Sequence, residues 1–279
     1  MAREIIAGVV QMQALSFASA QNLERALGLA KEAHQQGAQL LVFPELFDSG
    51  YCVHPKDREL ASSLGDLSAP TLQALQRFVE QSGVVVVGCG IEKEGIHLYD
   101  SAYILSPEGL VGKYRKIYLW GDEIDRFERG DSYPIFALDL GGVCVKVGLQ
   151  ICYEVGFPEG SRALALQGAE VVIFTAAFSR RRGYAWDLGS RARALENGVF
   201  VLASNRSGSE EHPYSHHHLE FAGRSRIINP MGDLLCEASG GLDEVLVTKL
   251  NLEEVARQRE EIPYLRDLNL VHALKTQVS

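Results

Sequence analysis

Short apolar runs recur along the chain: EIIAGVV (4–10), QLLVF (39–43), VVVVGCGI (84–91), SAYILS (101–106), VCVKVGLQI (143–151), VVIFTA (171–176) and FVLASN (200–205). They are rich in Val and Ile, and several show no alternation with polar residues, the pattern of strands covered on both faces. Segments of a longer period lie between them. Residues 19–37 place Leu23, Ala26, Leu27, Ala30 and Ala33 on one stripe and close on Gly37, and residues 71–83 do the same with Leu72, Leu75 and Phe78 before Gly83. Both predict amphipathic helices with a glycine stop. PEGSRALALQG (158–168) opens with Pro at a first-turn position and closes on Gly, and WDLGSRARALENG (186–198) closes the same way.

Strand–helix alternation at this rhythm predicts an α/β fold. The last third differs: residues 219–252 read as a hairpin-rich β segment with a turn at Asn229-Pro230-Met231-Gly232. No Pro-, Ser- or Gly-rich linker and no internal repeat divides the chain. One domain is expected over 1–279, with a core at about 4–250 and a polar C-terminal arm at 251–279.

The formal net charge is −9, spread without blocks of one sign, so the basic footprint of a nucleic-acid binder is missing. No apolar run approaches the ~20 residues of a membrane-spanning helix, and the N-terminus lacks the build of a signal peptide. The five cysteines, Cys52, Cys89, Cys144, Cys152 and Cys236, are odd in number, scattered and without a CxxC pair. A disulfide framework is therefore disfavoured, and a reduced, cytoplasmic setting is expected.

In an open α/β sheet, function collects at the carboxyl ends of strands. Three such ends carry reactive residues. LLVFPELFDSGY runs an apolar strand straight into Glu45, either a helix-start charge or an acid/base held in a dry place. VGKYRKIYLWGDE brings Lys113, Arg115 and Lys116 together near a strand, by composition a solvated charge cluster. VGLQICYEVGFPE puts Cys152 at a strand-to-helix elbow, as a packing thiol or an exposed nucleophile. Together they supply a nucleophile, a base and a cation, the parts for thiol-based acyl transfer. A free thiol has a pKa of ~8.5, so a nearby Lys would favour the thiolate while a Glu accepts the proton.

FPELFDSGY, KYRKIYLW and QICYEVGFPE, in this order and spacing, resemble the nitrilase superfamily of carbon–nitrogen hydrolases, and the likeness extends from GVVQM to INPMGDLL. The resemblance implies a four-layer αββα sandwich and a Glu–Lys–Cys triad: Glu45 as general base, Lys116 as oxyanion-stabilising cation and Cys152 as nucleophile. It also implies a second glutamate soon after the lysine. GDEIDRFERGD offers Glu123 and Glu128; the FERG turn takes Glu128 for itself and leaves Glu123 to orient Lys116 or the amide nitrogen. No cofactor and no metal are implied, and homo-oligomers are.

Tyr153-Glu154 follows the cysteine where nitrilases usually carry Trp-Glu, and Val155-Gly156 stands where hydrolases of N-carbamoyl amino acids carry paired arginines. The expected reaction is hydrolysis of a small amide with release of ammonia. The alternatives are an N-carbamoyl amine amidohydrolase, a nitrilase, an acyl transferase and an inactive scaffold. Tyr51, Trp120, Tyr153 and Phe178 are candidate pocket walls, as is Trp186. Arg180, Arg181 and Arg182 either grip an acidic substrate tail or form a solvated loop, and Arg191, Arg193 and Glu196 are expected to be structural. His212, His216, His217 and His218 lack the spacing of a metal site and are expected in a polar loop near the site's mouth. IYLW after the lysine, and Glu154 where many members have Asp, bear on substrate identity rather than mechanism.

Overall fold

The computed structural model describes residues 3–65, 67–212 and 218–268. Alternation decides which way each strand faces. Strands β1 (Glu4–Gln11), β2 (Leu40–Val42), β3 (Val85–Glu94), β4 (His97–Ser106), β5 (Gly109–Arg115) and β14 (Glu244–Asn251) form one sheet in the order β14-β1-β2-β3-β4-β5. Strands β6 (Ile135–Asp139), β7 (Cys144–Ile151), β8 (Val171–Ala176), β9 (Phe200–Asn205), β12 (Arg226–Ile228) and β13 (Leu234–Glu237) form the second, in the order β13-β12-β9-β8-β7-β6. β10 (Ser209–Glu211) and β11 (His218–Glu220) make a separate antiparallel ribbon. At the centre of each sheet the strands are parallel, β1-β2-β3 and β7-β8-β9, and the flanking pairs are antiparallel.

The sheets pack face to face. Ala7, Val9, Leu40, Val42, Val85, Val87, Ala102 and Ile104 of the first meet Val145, Val147, Leu149 and Ile151 of the second in one core. The intervening residues Val10, Leu41, Val86 and Leu105 turn outward onto helices α1 (Ser19–Gln35) and α3 (Pro70–Ser82), against Ala26, Ala30, Leu72 and Leu75. Helices α5 (Pro158–Leu166) and α6 (Gly183–Asn197) cover the outer face of the second sheet. The result is the αββα sandwich, closed across the chain when β14 returns to pair along the whole of β1.

The helix stops behave as their glycines predict: Gly83 and Gly198 take left-handed conformations, at φ 74° and 55°. The Asn229–Gly232 turn joins β12 to β13, with Asn229 Oδ1 accepting from the amides of Met231 and Asp233. Two short helices, α2 (Asp57–Leu60) and α4 (Glu123–Arg126), lie in the long connections. The segment expected as an arm begins with helix α7 (Glu253–Glu261), docked on the body through Val255 and through Arg259, which donates to the carbonyls of Ala169 and Asn197. Residues 269–279 lie outside the described part. Among the described residues no helix is long and apolar enough to cross a membrane.

Candidate active site

The ends of β2, β5, β7 and β8 converge between the sheets. After β2 the chain turns through Glu45 and Leu46, the latter at φ 49°. After β7 it turns at Cys152, at φ 48°, the first residue of a 3₁₀ turn over Cys152–Gly156. A positive φ at a non-glycine residue costs about 1–3 kcal/mol and persists where the surroundings over-determine it. Glu154 supplies that constraint. One of its carboxylate oxygens accepts from the Ile151 amide at 2.7 Å; the other accepts from the Tyr114 hydroxyl (2.6 Å) and the Ile117 and Tyr118 amides (2.8 and 3.2 Å). It thus straps the cysteine elbow to the segment after β5. Burial pushes Glu154 up to about 7, against those hydrogen bonds, which favour the charged form.

Lys116, the first residue beyond β5, is wholly buried. Its ammonium donates to Glu45 Oε1 at 2.5 Å, to Glu123 Oε1 at 2.9 Å and to Asp100 Oδ2 at 3.1 Å. The other oxygen of Glu45 accepts from the Ala177 amide beyond β8 at 2.7 Å. Glu123 further accepts from the Tyr51 hydroxyl (2.6 Å) and the Trp120 amide (2.8 Å). Glu128 is exposed and contacts His97, so of the two glutamates after the lysine only Glu123 enters the cluster.

One ammonium faces three carboxyl groups out of water, and the titration follows. Burial raises Glu45 well above its ordinary value; Lys116 opposes this, and Asp100 and Glu123 reinforce it. Lys116 is held well above its ordinary value, because the three acids outweigh its desolvation. Cys152 is likewise pushed well up, by burial first and then by Glu45, with Lys116 pulling the other way. Lys116 favours the thiolate, as expected, but burial and Glu45 outweigh it. Lys116 is shared among three carboxyl groups, and the net direction at the sulfur is toward the protonated thiol. Among the described residues, the one group of three potential metal ligands close enough together is Glu45, Asp100 and Glu123, and Lys116 already bridges them.

Cys152 lines a chamber of about 160 Å³ whose walls include Tyr51, Trp120, Tyr153, Phe178 and Phe221. The four aromatic residues expected as pocket walls therefore meet there. Trp186 does not: it is fully buried behind Phe178, with its indole N–H donated to the Arg224 carbonyl. The chamber shares Tyr51, Trp120, Ser179, Arg182 and Leu219 with a larger vestibule of about 890 Å³, also lined by Arg180, Arg181, His212 and His218. His216 and His217 lie outside the described residues.

Sequence reasoning missed Asp100 and the straps. Asp100 is the one acid in the strand HLYDSAYILS, a signal available in the sequence. Asn205, at the end of β9, accepts from the Phe178 amide at 2.7 Å and donates to the Gly223 carbonyl at 2.8 Å, which fixes the loop carrying Ala177 and Phe178.

The carbon-nitrogen hydrolase family profile matches residues 6–260. The chain belongs to the carbon-nitrogen hydrolase family. A member from Pyrococcus abyssi, named nitrilase, is 37% identical over 266 residues, with 93% of each chain covered. An (R)-stereoselective amidase from a Pseudomonas species is 37% identical over 264 residues, covering 94% of this chain and 91% of its own. A solved structure of a Glu→Gln variant of the amidase from Nesterenkonia sp. AN1 superposes with a TM-score of 0.78, at 27% identity and coverage of 95% and 94%. In it the acetamide moiety of fluoroacetamide is covalently added at the active-site cysteine.

Proposed function

We propose that this carbon–nitrogen hydrolase cleaves small amides through a thioester on Cys152. The observation that carries the reading is the buried Glu45–Lys116–Asp100–Glu123 cluster set beside the one cysteine that lines the small chamber. Cys152 Sγ attacks the amide carbon while its proton passes to Glu45. The carbonyl oxygen becomes an oxyanion facing the Lys116 ammonium, and one good donor in such a place contributes about 3–4 kcal/mol. Collapse breaks the carbon–nitrogen bond, and Glu45 returns its proton to the departing ammonia. Water then gives a proton to Glu45 and attacks the thioester, and release of the carboxylic acid regenerates the thiol. Glu123, fixed by Tyr51 and the Trp120 amide, orients Lys116. Asp100 holds the same ammonium from the opposite strand and anchors Cys89, whose thiol lies 3.3 Å from it.

The chamber's 160 Å³ is well below the roughly 300–1,000 Å³ of pockets for drug-sized ligands, so the acyl part is short. Ammonia release from a panel of short amides, N-carbamoyl amines and nitriles tests the reading, with intact-mass detection of an acyl group on Cys152. Turnover of nitriles alone would favour the activity named for the Pyrococcus relative, and acyl products formed only with added amine would favour transfer over hydrolysis. No turnover of any amide would refute the proposal.

The electrostatics adds a pH dependence. Because Glu45 is raised and must be ionised to act, kcat/KM is expected to fall on acidification through an apparent pKa above the usual carboxylate value of about 4.3. The value belongs to the coupled cluster rather than to one group. Because the thiol is raised too, kcat/KM is expected to stay level between about pH 7.5 and 9, without climbing with thiolate fraction. A profile that rises steadily through that window would mean a preformed thiolate and would remove Glu45 as the base.

A further inference from the structure

We propose that Glu210 is a positioning residue of the reaction: paired with Arg206, it sets Tyr51, and through the Tyr51 hydroxyl it sets Glu123 and Lys116. The proposal rests on the amidase reading above and deepens it. Glu210 lies in the β10–β11 ribbon, 159 residues along the chain from Tyr51. Its side chain is 1% exposed. One carboxylate oxygen accepts from the Tyr51 and Cys52 amides, at 3.0 Å each. The other accepts from Arg206 Nη2 at 2.8 Å, and that nitrogen also donates to the Ala14 carbonyl. Gly50 makes room for the contact: its φ is 87°, and a Cβ there would lie 2.7 Å from Glu210 Oε1.

Tyr51 is thereby held along its whole length. Its amide meets Glu210, its carbonyl accepts from Arg126 at 3.1 Å, and its hydroxyl donates to Glu123 Oε1 at 2.6 Å. The same Glu123 oxygen accepts from the Lys116 ammonium at 2.9 Å. A tyrosine side chain is a rigid lever with two rotatable bonds, so the place of its hydroxyl follows the place of its backbone. Glu45 opens the loop after β2 and Tyr51 closes it. The two ends bind Lys116 separately, Glu45 directly and Tyr51 through Glu123. The ribbon reaches the chamber as well. Leu219 pairs with Glu210 across the ribbon, and the Phe221 ring centroid lies 4.5 Å from the Arg206 guanidinium carbon; both are chamber walls.

Capping two amides does not require a charge. A buried carboxylate and a wholly buried arginine are costly to desolvate, and such a pair gives little net stability over apolar side chains of similar volume. What it gives is a short, directional grip, since charge-assisted hydrogen bonds are shorter and stronger than neutral ones. That grip lies where the reaction needs precision, because a displacement of about 1 Å caused by a distant change costs about 10²-fold in rate.

The test measures kcat and KM for the short amide that wild type hydrolyses fastest, in Glu210→Gln, Glu210→Asp, Tyr51→Phe and the double variant Glu210→Gln/Tyr51→Phe. Glu210→Gln is expected to lower kcat about 10- to 100-fold, by more than it raises KM. Glu210→Asp keeps the charge and should recover part of the loss. Tyr51→Phe removes only the hydroxyl and should lose a similar factor. In the double variant the losses should not multiply, because both changes cut one chain of contacts. A second readout needs no amide turnover: alkylation of Cys152 by iodoacetamide, followed by peptide mass against the exposed Cys144. Its pH profile should shift in the same direction in Glu210→Gln and in Tyr51→Phe, because Lys116 and Glu123 both act on the sulfur. Unchanged kcat and pH profile in Glu210→Gln, losses that multiply in the double variant, or failure of both Glu210 variants to fold overturns the proposal. No amide turnover in wild type, with the alkylation profile shifted in both single variants, overturns the amidase reading instead and leaves the positioning role standing.

Discussion

Replacing Cys152 by Ala is expected to lower amide turnover by on the order of 10⁴-fold or more, the scale of losing a covalent nucleophile. Folding is expected to survive. The left-handed backbone at 152 is already occupied by a residue with a Cβ, so Ala adds no strain, and the lost sulfur faces the chamber wall. The thermal midpoint should therefore stay close to wild type while ammonia release vanishes and no acyl adduct appears by mass. Cys144 is the matching control: it is exposed at the opposite end of the same strand β7, and Cys144→Ala should keep full activity. The remaining thiols are poor rivals, since burial and Glu210 push Cys52 up to about 12 and Cys89 is bound to Asp100 inside β4's sheet. Retained turnover in Cys152→Ala would end the thioester mechanism.

How far the sequence reaches can be judged at β5. GLVGKYR is an edge strand with one face in solvent, and its charges hide the apolar pattern that marked the other strands. The run Lys113-Tyr114-Arg115-Lys116 reads by composition as a solvated patch. The period of two separates it: Lys113 and Arg115 both pair with Glu92 on one side, while Tyr114 reaches Glu154 and Lys116 enters the carboxylate cluster on the other. The buried central strands were legible because burial on both faces writes itself as unbroken Val and Ile. Glu45 and Cys152 were legible because each ends such a strand. The partners of Asp100 and Glu154 were not, because they come from long-range contacts, 16 residues from Lys116 and 40 from Tyr114, although Asp100 itself stands out as an acid within a strand. The thiol's raised titration was hidden for the same reason: it depends on how many acids surround the lysine, a count that only the packed sheets fix.

Lys116→Met is expected to damage both the reaction and the fold, which sets it apart from Cys152→Ala. Removing the ammonium deletes the oxyanion's counter-charge, a loss on the order of 10²–10³-fold for one donor, and more where the donor also positions the base. It also leaves Glu45, Asp100 and Glu123 wholly buried around an apolar side chain. Breaking a buried ion pair from one side costs about 3–5 kcal/mol, which for a chain of this size lowers the thermal midpoint by about 10 °C. The pH sign is fixed by the cited shifts. Lys116 is raised in the folded state, so its contribution is fully present below the unfolded value near 10.5 and is lost as pH rises through the higher folded value. Glu45 is raised as well, so the fold favours its protonated form, and the cost of its charge appears as pH rises through its folded value. Without the lysine that cost grows. The deficit of Lys116→Met against wild type, read by calorimetry, is therefore expected to be largest near neutral pH and to shrink on acidification. Glu45→Gln supplies the opposite sign: it removes a buried charge that the fold resists, so it should abolish turnover while keeping or raising the midpoint. If Lys116→Met proves as stable as wild type at neutral pH, the ammonium is not what holds the three acids together, and its place in the mechanism falls with it.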